Sequence, residues 1–89
     1  MFGTIGMETA QRYENDEIRG ILAKLSDEEE YGRVLRSKGI LQIAAGEWFQ
    51  FDYVPGETDI REGTADYTGR LCVIGADLNE KALTELFHL

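Results

Sequence analysis

Eighty-nine residues with seventeen acidic and nine basic side chains carry a formal charge of −8. A duplex or membrane surface is itself a dense array of negative charge and repels such a chain overall, so neither nucleic acid nor membrane is expected as a partner. The length suits a single domain over residues 1–89, near the lower limit of self-sufficiency, because a chain of this size buries only roughly 60 to 65 % of its unfolded surface. The lone cysteine, Cys72, cannot form an internal bridge. Its place in an apolar run reads as a small buried hydrophobe rather than a reactive thiol, and no oxidising compartment is implied. The start Met1-Phe2-Gly3-Thr4 lacks the basic and apolar regions of a secretory signal. No run reaches the roughly 20 apolar residues of a membrane span, so a cytoplasmic location is expected.

In chain order, Phe2 to Met7 mixes apolar residues with two glycines and predicts a short first strand. Asn15 is a candidate helix cap, with Asp16 and Glu17 suited to the positive end of the helix dipole. Ile18, Ile21, Leu22 and Leu25 then recur at i, i+3, i+4 and i+7, one stripe facing a core. Ser26-Asp27-Glu28-Glu29 has the form of a capping box and predicts a second helix reaching about Arg36, with Tyr31, Val34 and Leu35 inward and Gly32 weakening it. The acidic run Asp27 to Glu30 reads as helix-end charge rather than a cation site. Gly39 stops the helix or bends the chain, and Ile40 to Ala44 has strand content.

Phe49, Phe51 and Tyr53 alternate with Trp48, Gln50 and Asp52, the period of a half-buried strand. With Gly46 as its turn, this strand forms a hairpin with the preceding one. The aromatic row reads as core rather than as a stacking platform for bases. Trp48, on the opposite face, marks a candidate contact surface. Pro55-Gly56 makes a turn. From Glu57 to Gly69 the chain is polar, either a long loop or a weak edge strand around Thr58 to Glu62. Leu71 to Ile74 is an unbroken apolar run whose neighbours point to opposite faces, the mark of a central strand needing cover on both sides. Asn79 caps a last helix that buries Leu83, Leu86 and Phe87, with Leu78 and Leu83 placed as a hydrophobic staple. His88, near the chain end, reads as surface. The order strand, helix, helix, strands, helix predicts an α+β domain: a mainly antiparallel sheet of about four strands with helices on one face.

Several chemistries lack their residues. No glycine-rich loop ends in Gly-Lys-Ser/Thr to cradle phosphates, and neither Cys-x-x-Cys nor paired histidines occur. A Ser-His-Asp or Cys-His arrangement would need His88 with the helix-capping Ser26 or the buried Cys72. Acid-base work by Glu57, Asp59, Glu62 and Asp66 remains as an alternative, a small enzyme or ligand-binding domain using that acidic stretch. No catalytic, cofactor-binding or metal-ligating residue is expected otherwise. Arg33, Arg36 and Lys38 form a short basic group of the kind that is usually a solvated face.

Val34-Leu35-Arg36-Ser37-Lys38-Gly39-Ile40-Leu41 resembles the LR-x-KG entry to the second strand of the CobW C-terminal domain. Arg70-Leu71-Cys72-Val73-Ile74-Gly75-Ala76-Asp77-Leu78 resembles that domain's closing R-L-V-F-I-G-x-x-L strand and the helix after it. The Phe49 to Tyr53 strand and Tyr67-Thr68-Gly69 fit between them. The resemblance implies a non-catalytic accessory module of a P-loop GTPase concerned with metal homeostasis, metal-cofactor insertion or cobalamin synthesis. GTP and a divalent metal, zinc or cobalt, would belong to the parent protein and not to this domain. Its implied partners are the GTPase domain and a metal-receiving client protein. Arg36, Lys38 and Trp48 are the candidate interaction residues, against the plainer possibility that Arg36 and Lys38 pair with Glu28 to Glu30.

Overall fold

The computed structural model describes residues 2–89. Its elements are β1 (Phe2–Thr9), β2 (Arg12–Tyr13), α1 (Asn15–Lys24), α2 (Glu28–Tyr31), β3 (Arg33–Ile43), β4 (Trp48–Val54), β5 (Glu57–Glu62), β6 (Gly69–Ala76) and α3 (Glu80–Leu86). The aliphatic stripe of α1 packs as its spacing requires: Ile18, Ile21, Leu22 and Leu25 are all buried. The capping residue is Glu14 rather than Asn15, and its backbone N–H donates to Glu17 Oε1 at 3.1 Å. Asn79 caps α3 as expected, accepting from the Ala82 N–H at 3.1 Å.

The sheet has six strands rather than the four expected, in the order β1-β6-β3-β4-β5, with β2 parallel to the end of β3. The remaining pairings are antiparallel. Two added strands, β2 and β5, account for the difference. The two residues of β2 are too few to show a period, yet buried Tyr13 donates its hydroxyl to the Phe87 carbonyl at 2.6 Å and ties the end of α3 to the sheet. The polar stretch after Pro55 becomes the edge strand β5, and β3 begins seven residues early.

That early start overturns the longer second helix. α2 is a single turn, capped by Asp27 accepting from the Glu30 N–H at 3.3 Å, while Ser26 Oγ instead donates to the Ala23 carbonyl at 3.0 Å. Gly32 ends it with φ of 85°, and a Cβ there would lie 2.8 Å from Leu78 Cα, so only glycine fits. Val34, read as helical, pairs with Gly75 in the ladder, and Leu35 is the extra residue at the register shift that follows it. Tertiary pairing outweighs a weak helical pattern in which Gly32 already costs about 1 kcal/mol.

β6 is central, flanked by β1 and β3. Its two faces differ. Leu71 and Val73 join Leu41, Phe49, Phe51 and Tyr53 beneath α1 and α3 to form the core. Gly39 sits in mid-strand rather than at a bend, and its missing side chain makes room there: a Cβ would lie 2.7 Å from both the Phe51 ring and Leu71 Cβ. On the other side Cys72 and Ile74 are only half-buried and no helix crosses them. The expectation of cover on both faces therefore fails, and with it the reading of Cys72 as buried.

Candidate interaction surface on the open sheet face

One irregularity in β3 decides which side chains reach the open face. The register against β6 shifts between Val34 and Arg36, with Val34 opposite Gly75 and Arg36 opposite Ile74. Strand side chains alternate with period two, so an extra residue reverses every side chain that follows. Val34 and Ser37 are consequently both buried, three positions apart. Arg36 and Lys38 turn outward instead of into the core.

Register then assembles two rows across the open face. Arg61, Gln50, Ile40 and Arg70 face one another on β5, β4, β3 and β6. Asp59, Asp52, Lys38 and Cys72 form the adjacent row on the same strands. Between them lies an open groove of about 540 Å³ lined by Arg36, Lys38, Arg61, Arg70, Asp52 and Cys72 among others. Four of the chain's nine basic residues thus gather at one groove with a single lining carboxylate, on a molecule of net charge −8.

Asp52 accepts from Arg36 at 3.0 Å and from Arg61 at 3.2 Å, which holds its carboxyl below the usual carboxylate range. Arg61 also pairs with Asp59. Arg70 Nε donates to Asp66 at 3.1 Å, and with the Tyr67 N–H this lowers the Asp66 carboxyl as well. Lys38 has no ion-pair partner among the described residues. The anticipated pairing of Arg36 with Glu28 to Glu30 does not form; Arg33 takes that place, 3.7 Å from Glu28.

Of the three candidate residues, Arg36 and Lys38 share the groove. Trp48 shares the face but is half-buried and lies beyond the groove lining, one strand repeat past Gln50. Arg61, Arg70 and Asp52 complete the surface and were not singled out from the sequence. The parity of Asp52 relative to Phe51 and Tyr53 could have placed it there. Arg61 lay in a stretch with no usable period.

The carboxylates of the Glu57 to Asp66 stretch do not converge on one another: Asp59 and Asp66 are each taken up by an arginine. Asp66, held ionised in this way, does not suit a general acid. Cys72 lies on the open face, whereas His88 lies on the helix side with Nδ1 3.3 Å from Glu17. Among the described residues no group of three or more histidine, cysteine, aspartate or glutamate side chains is arranged to hold a metal. The residues present do not fit a transition-metal site. Among the same residues no helix is long and apolar enough to cross a membrane.

The Zn(II)-bound YjiA GTPase from E. coli superposes with a TM-score of 0.77 at 22 % identity, over 97 % of this chain and 28 % of that one. A Zn(II)-bound triple mutant of YjiA gives 0.80 at 21 % identity, with the same coverage. At such identities the likeness concerns the fold, and the chain spans just over a quarter of those GTPases. Comparison with curated protein sequences gives no match. The family model for the cobalamin synthesis protein CobW C-terminal domain matches residues 2–88, and the chain belongs to that family.

Proposed function

We propose that this domain is a non-catalytic docking module of a CobW-like GTPase system, and that the open sheet face is its contact surface. The observation that carries the reading is the family match over residues 2–88 together with alignment to only 28 % of a GTPase chain. The module supplies a surface and the nucleotide chemistry belongs to another domain. GTP and a zinc or cobalt ion are bound there, in the cytoplasm, and the system serves metal homeostasis, metal-cofactor insertion or cobalamin synthesis. The partner that the surface meets first is the GTPase domain, and a metal-receiving client protein is the second.

The local chemistry supports a surface role. Exposed arginine–carboxylate pairs contribute only about 0 to 1 kcal/mol each, so the charges of this face do little for stability. They are available for a partner. The test is binding of the 89-residue chain to a separately produced CobW-family GTPase domain by calorimetry, with GTP, GDP, zinc and cobalt varied in turn. Affinity that depends on the bound nucleotide is expected. Undetectable affinity in every state overturns the docking role.

A further inference from the structure

The row Arg61, Gln50, Ile40, Arg70 spans four strands with an amide and an aliphatic side chain between its two cations, and Glu8 of β1 lies next to Arg70 beyond it. Its members sit on four consecutive strands, so the backbone positions of the two arginines stand three strand spacings apart, about 14 Å. A single phosphate is too small to meet both. An extended peptide advancing about 3.3 Å per residue covers that distance in four steps. A carboxylate at each end would reach the arginines while the central side chain rests on Ile40. Lys38, in the adjacent row and without an ion-pair partner among the described residues, adds a third cation beside the path. A nucleic-acid strand fits less well, because its charge recurs at every step and would meet Asp52 and Asp59.

Arg61 and Arg70 already hold carboxylates, but these pairs are exposed and each is worth about 0 to 1 kcal/mol, so partner exchange is cheap. Arginine also has five donors and can keep its old contact. Most of the remaining acidic residues belong to the helices and their caps, with Glu8 beside Arg70 as the exception. Helices pack about 10 Å from a sheet plane, beyond the roughly 8 Å over which charges act at physiological salt. The groove therefore presents its own local charge rather than the net −8.

We infer that this groove receives an extended acidic segment of a partner protein, with two carboxylates about four residues apart flanking an apolar side chain. The inference rests on the docking role proposed above and adds the chemistry of what docks.

Cys72, the only cysteine, lines the groove opposite Lys38 and reports on its occupancy. The experiment follows its alkylation by N-ethylmaleimide in the 89-residue chain. The probes are a blocked Glu-Ala-Leu-Ala-Glu peptide, the same peptide with glutamine for glutamate, inorganic phosphate, and a short single-stranded oligonucleotide. Near saturation the glutamate peptide should slow alkylation about threefold or more, with protection falling as salt rises. The glutamine peptide and phosphate should give none, and Arg61→Gln with Arg70→Gln should abolish the effect. Circular dichroism checks that this variant folds, and Lys38→Gln alone, which should weaken protection, serves if it does not. No slowing, equal slowing by the glutamine peptide, or stronger slowing by phosphate or oligonucleotide overturns the inference. If the chain binds the GTPase domain while the peptide neither protects Cys72 nor competes, docking stands and the acidic partner falls. Protection by the peptide without GTPase-domain binding gives the converse.

Discussion

The two faces of the one sheet are built from the same strands and differ by parity alone. On β4, Phe49, Phe51 and Tyr53 are buried beneath the helices, while Trp48, Gln50 and Asp52 between them stay partly in water. The inner face is aliphatic and aromatic and holds the fold together. The outer face is a lattice of arginine, lysine and aspartate that contributes little to stability and is the surface proposed for docking. If the open face is the docking surface proposed above, stability and recognition are separated residue by residue along each strand, and substitutions on the two faces should separate in their effects.

The largest effect belongs to the inner face. Phe51 is fully buried against Phe87, with ring centroids 6.4 Å apart, and Phe51→Ala should lower the unfolding free energy by about 3 to 5 kcal/mol in urea titrations. A loss below about 1 kcal/mol would mean the core is not packed as described. Gly32→Ala should cost about 1 to 3 kcal/mol, because its positive φ and the backbone of Asp77 and Leu78 exclude a Cβ. Tyr53 marks the limit of the inner face: its hydroxyl is buried with no hydrogen-bond partner among the described residues, and burial raises its pKa. Tyr53→Phe should leave stability unchanged or raise it by about 1 kcal/mol. A clear loss would reveal a partner for that hydroxyl.

Outer-face effects on stability should be the smallest and should depend on pH. Arg36 and Arg61 lower the Asp52 carboxyl in the folded chain. The unfolded chain therefore binds the proton more readily. The stabilisation is present above the ordinary carboxylate range and is lost as pH falls below about 4 through the folded value. Asp52→Asn should flatten the acid limb of the stability profile by no more than about 1 kcal/mol, measured by urea unfolding at stepped pH.

The inner face was largely legible in the sequence because its signals are periodic. The α1 stripe, the aromatic alternation of β4, the Asn79 cap and the apolar run of β6 all occupy their expected places. The start of β3 was not legible, since Val34 and Leu35 suit either a helix or a strand, and only pairing with β6 decides between them. The outer face was legible in part. Arg36 and Lys38 stood out as neighbouring charges, but their outward direction depends on a bulge that no local pattern announces. Arg61 and Arg70 are nine residues apart in sequence, and register across β4 and β3 brings them into one row.

The separation of the two faces is tested most directly by measuring affinity for the GTPase domain with paired charge removals, one pair per face. Lys38→Gln with Arg70→Gln lies on the open sheet face, and Lys24→Gln with Lys81→Gln lies on the exposed helix side. The first pair should weaken binding about tenfold or more and the second should leave it within about twofold, with stability unchanged in both. Equal weakening by the two pairs, or weakening by the helix-side pair alone, would contradict the open sheet face as the docking surface.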